Sequence, residues 1–302
     1  MTGARYAALD IGGTKIAAAL TDADGTVLHR ARVPTPEGGG QPVLAAATRL
    51  LDHLADKARD ERPRPDGGGP PPDAARLREA GVRGVGVGAP GVVDPGSGRV
   101  VSATGVLPGW SGTPVREVLA ALTGLPVAVV NDVRAMGLGE ARRGAGAGFH
   151  RVLHVSVGTG VGGALTTGGR LDHGAHGTAG ELAHLLVPER GPVPCGCGRR
   201  DHLEAVVSGP AIAATGDPGR AGALLGRALA GVLAVLDPDA VVVGGGVAQI
   251  GAPLLDAVAG AFRAEALPPL RDVPILPARL GTDAPLVGAA LLAKSALEGS
   301  TP

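Results

Sequence analysis

"ALDIGGTKIAAAL", residues 8–20, decides how the rest of this chain is read. A short apolar run ends in an aspartate, turns on two glycines and a threonine, and resumes as small apolar residues. That pattern predicts two strands joined by a tight turn. The same plan returns at "HVSVGTGVGGAL", residues 154–165. Two copies, each near the start of one half, predict two related α/β lobes with a cleft between them. The segments between them alternate accordingly. "PVLAAATRLLDHLADKARD", "TPVREVLAALTG", "GALLGRALAGVLAVLD", "APLLDAVAGAFRAEAL" and "PLVGAALLAKSALEG" read as helices, and "VRGVGVGA", "LPVAVVND", "AVVVGGG" and "VPILPARL" as strands. The class is α/β. In the second of these helices Thr113 is expected to cap, Pro114 to fill the first turn and Gly124 to close the end. "ERPRPDGGGPPPDAA", residues 61–75, is too rich in proline and glycine for regular structure and reads as a surface loop.

Composition narrows the function. Hydrophobic residues make up 44% of the chain, yet it has one Trp, one Tyr and two Phe. Ala, Val, Leu and Gly must therefore fill the core, which predicts close approach of backbones. The formal net charge is zero, so charge points to neither nucleic acid nor an anionic membrane as partner. No signal peptide is expected at the N-terminus. The most apolar helical run carries Arg227 in its middle and reads as a buried helix rather than a span of about 20 apolar residues. A cytoplasmic protein is expected.

Both cysteines, Cys195 and Cys197, fall within "PCGCGRRDHLEA", residues 194–205. They stand too close to bond each other, and disulfides are rare in the cytoplasm. With His184 and His202 they make four N/S donors, the set that suits tetrahedral Zn²⁺. The bland reading is two thiols and two unrelated histidines.

The other motifs each have two readings. "GTGVGG", residues 158–163, has the spacing of a dinucleotide fingerprint, but no helix pattern follows, so a Rossmann unit is rejected. It is either a turn offering the N–H groups of Thr159 and Gly160 to phosphate, or a plain turn. Asp10, ending an apolar strand before Gly12, Gly13, Thr14 and Lys15, is either a partner for Mg²⁺ or bonded to turn amides. Asn131 and Asp132 end another strand. Asp132 either takes a proton from a substrate hydroxyl or helps cap the next helix. "GELAH" sets Glu181 and His184 at i, i+3, on one face if helical, and Glu204 follows His202 by two.

Taken in order, "LDIGGTK", "GVGAPGVVDPGSG", "LPGW", "VVND", "VGTGVGG", "GAHGTAGELAH", "CGCGRRDHLE" and "DPDAVVVGGGV" resemble the ROK family (repressor, open reading frame, kinase) of sugar kinases across nearly the whole chain. The resemblance implies the actin/hexokinase-like pair of ribonuclease-H-type lobes with an interlobe cleft. It implies an N-terminal lobe over 1–116, completed by a C-terminal helix at 285–302, and a second lobe over 117–284 that carries the zinc site. ATP with Mg²⁺ would have Asp10, Gly12, Gly13, Thr14, Lys15, Thr159 and Gly160 about its phosphates and Gly244, Gly245 and Gly246 near the nucleoside. Asp132 matches the catalytic base. Asn131, Glu181, His184 and Glu204 match residues that hold the sugar, and structural Zn²⁺ would sit on His184, Cys195, Cys197 and His202. The implied activity is phosphorylation of the 6-hydroxyl of glucose or an amino-hexose such as kanosamine or N-acetylmannosamine, by a homodimer or homotetramer. The competing reading is a non-catalytic sugar sensor without the DNA-binding module of the family's repressors.

Four positions depart from the family pattern. His202 stands where a third cysteine is usual, Val106 and Arg134 where asparagines are usual, and Ala183 where glycine is usual. Three of them touch the expected sugar side.

Overall fold

The computed structural model describes residues 3–60, 73–103, 107–187 and 192–299, so most of the loop expected at 61–75 lies outside the described residues, as does Val106. Internal contacts divide the chain into two units: Met1–Gly139 with Asp283–Pro302, and Glu140–Thr282.

The first unit contains β1 (Arg5–Ile11), β2 (Lys15–Asp22), β3 (Val27–Pro34), α1 (Gly40–Asp60), α2 (Asp73–Glu79), β4 (Val82–Ala89), β5 (Val92–Val93), β6 (Val100–Ser102), α3 (Val115–Thr123), β7 (Val127–Asn131) and most of α4 (Asp132–Arg143). The second contains β8 (Arg151–Val157), β9 (Val161–Thr167), β10 (Arg170–Asp172), α5 (Leu203–Val207), α6 (Gly209–Thr215), α7 (Pro218–Leu236), β11 (Ala240–Gly244), α8 (Ala252–Glu265) and β12 (Ile275–Pro277). The last helix, α9 (Ala284–Leu297), belongs to the first unit.

Each unit is built on a five-stranded sheet, ordered β3-β2-β1-β4-β7 in the first and β10-β9-β8-β11-β12 in the second. In both, the first three strands form an antiparallel meander and the last two run parallel to the first. The echo between residues 8–20 and 154–165 is therefore a repeat of topology, with each Gly-rich turn joining the first two strands of its sheet. The sequence reading placed the boundary near 116/117. The structure divides the chain at Gly139/Glu140 instead, because β7 completes the first sheet by pairing with β4 and α4 leads out of it.

Packing follows from the composition. On one face of the first sheet Leu9, Ile11, Ile16 and Leu20 meet Leu44, Leu51 and Leu54 of α1. Each buried Leu or Ile contributes about 1.5–3 kcal/mol relative to exposure. On the other face the alanine-rich α9 lies against β1 and β4. Gly86 sits beneath the Ala289 carbonyl so closely that no Cβ fits. Gly139 of α4 and Gly288 of α9 are likewise pressed against each other's backbones. Small residues let these elements approach, as the scarcity of aromatics implied.

Helix α3 ends on Gly124 in the left-handed conformation (φ 63°), as expected, but its N-cap is Pro114 rather than Thr113. Proline cannot donate, so the helix simply begins after it without a side-chain cap. In the second unit α7, the one described helix long and apolar enough to cross a membrane, packs Leu225, Leu229 and Leu233 into the core with Phe262 of α8.

His154 is fully buried on β8. Its Nε2 lies 3.0 Å from Thr166 Oγ1, while Nδ1 has no partner. Burial lowers its pKa from 6.5 to about 3. The folded state resists protonation, so this residue's contribution to stability is whole above pH 6.5 and is lost as pH falls toward 3. The full loss approaches about 5 kcal/mol. His154→Gln, which keeps a partner for Thr166 without titrating, is expected to flatten the fall of melting temperature between pH 6.5 and 4. Parallel curves for both proteins would contradict the assignment.

Candidate active site and metal centre

In the first unit the expected residues gather at the carboxyl ends of parallel strands. Asp10 on β1 stands opposite Gly88 on β4, and Ala89 stands opposite Asn131 on β7. Register thus sets Asp10 and the Asn131–Asp132 pair at the same end of the sheet, on the strands either side of β4. Gly88 lies between them. A Cβ there would come within 3.3 Å of the Asp132 Cα and 3.8 Å of Asp10 Oδ1.

Asn131 Oδ1 accepts from Val133 N (2.9 Å) and Arg134 N (3.3 Å), and its Nδ2 donates to the Gly91 carbonyl (3.0 Å). It therefore starts α4 and fixes the strand-to-helix corner. Asp132 is the first helical residue, with Oδ1 accepting from Val133 N at 3.0 Å. Asn131 thus caps the helix at the corner where Asp132 begins it.

Burial pushes the Asp10 carboxyl up to about 6, with Lys15 opposing. Such a group stabilises the fold below pH 3.8, and that contribution is lost as pH rises through 6. Above pH 6 the buried charge costs up to about 3 kcal/mol until a cation joins it. Asp10→Asn is expected to raise the melting temperature of the ligand-free protein at pH 7–8 relative to pH 4, while weakening Mg²⁺-nucleotide binding. An unchanged melting profile would show that Asp10 carries no such strain.

The turn after β1 is exposed at Thr14 and Lys15. Gly12 N donates to the Lys15 carbonyl (2.9 Å), and Thr35 ties the turn down through its N–H to Thr14 O (3.0 Å) and its hydroxyl to Gly12 O (2.6 Å).

The second unit repeats this at its own strand ends. In the turn between β8 and β9, Gly158 N donates to Gly160 O (2.8 Å), and Gly158 O accepts from Gly209 N (2.8 Å) at the start of α6. Beside it Gly244 ends β11. Gly245 (φ 87°) is pressed against the Val157 carbonyl, where no side chain fits, and Gly246 opens a 3-10 turn. Thr159, Gly160 and Gly244–Gly246 thus share one end of one sheet.

Glu181 and His184 are not on a helix, so the shared face that a helical "GELAH" would give them does not arise. The segment makes two successive turns, with Glu181 N bonded to Thr178 O (3.1 Å) and Leu185 N to Leu182 O (3.1 Å). What joins His184 to the remaining residues is chain geometry farther along. His184, Cys195, Cys197 and His202 converge, with their donor atoms all within 4.8 Å of one another. His202 Nδ1 lies 3.2 Å from His184 Nδ1 and 3.2 Å from Cys197 Sγ. Ligands of a tetrahedral zinc, at about 2.0–2.3 Å from the metal, stand roughly 3.3–3.8 Å apart. Two imidazoles and two thiols are a donor set that Zn²⁺ takes, and both His202 separations lie just below that range. Burial is the main reason the Cys195 thiol is raised; a backbone bond from Cys197 opposes it, while the Cys197 thiol and Glu204 add to it. A metal must displace that proton.

Arg134 is only 3% exposed, so the substituted position points into the protein. Glu140, which sequence reasoning passed over, is fully buried. Its carboxylate accepts from Ala145 N (2.7 Å), Leu280 N (2.7 Å) and Arg279 N (3.1 Å). It fastens the first and last segments of the second unit. The available signal was an acid within the helical run "MGLGEARR".

Two sheets of matching order and polarity, each with a Gly-rich first turn and an acidic strand end in the first unit, define the class as the actin/hexokinase-like fold. The sequence model of the ROK family matches residues 6–61, 73–223 and 218–296, and the chain belongs to that family. A glucokinase from Halalkalibacterium halodurans is 31% identical over 330 aligned positions, covering 96% of this chain and 94% of that one. An N-acetylmannosamine kinase from Escherichia fergusonii is 32% identical, covering 95% and 97%. The crystal structure of a ROK glucokinase from Streptomyces griseus, in complex with glucose and AMPPNP, superposes with a TM-score of 0.79 at 29% identity, covering 96% and 99%.

Proposed function

We propose that the chain is an ATP-dependent hexose kinase that transfers the γ-phosphate to the 6-hydroxyl of glucose or of an amino-hexose. The observation that carries the reading is the placing of Asp10 and Asp132 at one end of the first sheet, on either side of β4, with Asp132 held at the Asn131 corner. Relatives that phosphorylate hexoses and hexosamines support it.

In this reading Asp132 orients the sugar hydroxyl and accepts its proton as the oxygen attacks phosphorus. The exposed turns at Gly12–Lys15 and Thr159–Gly160 offer N–H groups and the Lys15 ammonium to the phosphates. Gly244–Gly246 leave room for the nucleoside. Asp10 is the residue that would hold Mg²⁺, and that ion supplies neutralisation of charge on the transferring group. Asn131, Glu181, His184 and Glu204 hold sugar hydroxyls. Zinc on His184, Cys195, Cys197 and His202 would brace His184 and Glu204 rather than take part in the reaction. Reduced thiols at such a centre suit a cytoplasmic protein.

The sugar-side departures at His202, Val106 and Arg134 point to a sugar other than plain glucose, such as the amino-hexoses kanosamine or N-acetylmannosamine. Losing one sugar hydrogen bond costs about 1 kcal/mol, enough to shift preference without abolishing turnover. ATP consumption with glucose, mannose, glucosamine, kanosamine, N-acetylglucosamine and N-acetylmannosamine tests this. An amino-hexose is expected to have the highest kcat/KM. A strong preference for glucose would show these substitutions to be tolerated, and silence on every sugar by folded, metal-loaded protein would overturn the kinase reading.

A further inference from the structure

We infer that Glu204, besides any contact with sugar, is a positioning residue for the turn Gly158–Val161, holding it in the form that receives nucleotide phosphates. The inference rests on the kinase reading for the identity of the ligand, but its geometry lies wholly within the second unit. Glu204 Oε2 accepts from Val161 N at 3.0 Å, across 43 residues of sequence. The turn is otherwise tied by Gly158 N to Gly160 O within it, Gly209 N to Gly158 O beside it and the Val157–Val161 pairing at its base. The carboxylate also rests on Gly160, where a Cβ would come within 2.5 Å of Oε2. The turn and the acid therefore fit each other closely, and a side chain at Gly160 would push the carboxylate aside.

Glu204 is itself firmly placed. Its N–H donates to the Ala183 carbonyl (3.1 Å), and its own carbonyl accepts from Ser208 N (3.1 Å). It lies in the first turn of α5, whose N-cap residue is His202, and Oε1 stands 4.0 Å from Cys195 Sγ. The turn is thus hung from the segment that carries the His/Cys cluster. A bare carboxylate next to a phosphate-binding turn repels the ligand's charge. Its presence there implies a compensating gain, and the charge-assisted bond that orders the turn supplies one.

Repulsion and positioning predict opposite results. ADP affinity measured by titration calorimetry without sugar, on metal-loaded protein, separates them. Glu204→Ala is expected to weaken ADP binding about tenfold, the scale of one lost charge-assisted bond. Glu204→Gln, which still accepts from Val161 N, should stay within about twofold of the parent. Glu204→Asp keeps the charge but falls short of the amide, and should resemble the alanine variant. It carries the comparison if the alanine variant does not fold. Hydrogen exchange at Val161 should quicken in the Ala and Asp variants only. ADP binding that is unchanged or tighter in both of them would overturn the inference and leave Glu204 a sugar ligand alone. If the parent protein binds no ADP, the kinase reading falls, and Val161 exchange then decides the inference by itself.

Discussion

Asp132→Asn is expected to lower kcat by about 10²–10⁴-fold while leaving the fold and the affinity for nucleotide close to those of the parent. Asparagine keeps an oxygen to accept from Val133 N, the bond that Asp132 Oδ1 makes at the start of α4. The corner itself is held by Asn131, through Val133 N, Arg134 N and the Gly91 carbonyl, and none of these bonds is touched. What disappears is the capacity to take a proton. Initial rates at saturating sugar and ATP, alongside circular dichroism and ADP titration, make the measurement. Turnover within a few-fold of the parent would remove Asp132 from the role of base. A parallel loss of folding would show that its charge is structural.

Cys195→Ser is expected to release the metal. The parent should carry about one Zn²⁺ per chain, and the variant close to none when purified without added zinc. Structural zinc contributes about 10–16 kcal/mol in isolated zinc fingers. A larger unit with its own core depends on it less, so a loss of about 5 kcal/mol or more in the second unit is expected. The physical reason is the arrangement of the loop. Residues 192–202 contain no helix or long strand and are closed only by short bonds such as Cys195 N to Arg199 O (2.8 Å) and Asp201 N to Val193 O (2.8 Å). His202 in turn begins α5. Metal analysis and thermal melting before and after chelation test this. Full stability and activity in metal-free protein would reduce the cluster to two thiols and two histidines.

Much of this was legible in the chain. The Gly-Gly-Thr turn at 12–14 and its echo at 158–160 carried the two-unit architecture, because a glycine turn between alternating apolar runs leaves few options but a hairpin. The packing of five helices and the close approach of α9 followed from periodicity and from a core poor in aromatics. The grouping of His184, Cys195, Cys197 and His202 was legible because the chain's two cysteines fall together within residues 194–205, with His202 close behind. Other features were hidden. "GELAH" looked helical at i, i+3, yet lies in successive turns, because tertiary contacts to the metal loop set its shape: Leu203 N donates to Leu185 O and Glu204 N to Ala183 O. Thr113 had the chemistry of a cap, but Pro114 took the position.

The sequence by itself determined the local matters: which segments turn, which are strands or helices, and which residue types carry the chemistry. These depend on backbone preferences and side-chain alternation over a few residues. Only the tertiary structure decided who meets whom. Sheet register placed Asp10 and Asp132 at one end of the first sheet, the burial of Glu140 joined residues 145 and 280, and the carboxylate of Glu204 reached Val161. Such contacts span tens to more than a hundred residues. They are selected by how whole elements pack, and no short stretch of sequence contains that information.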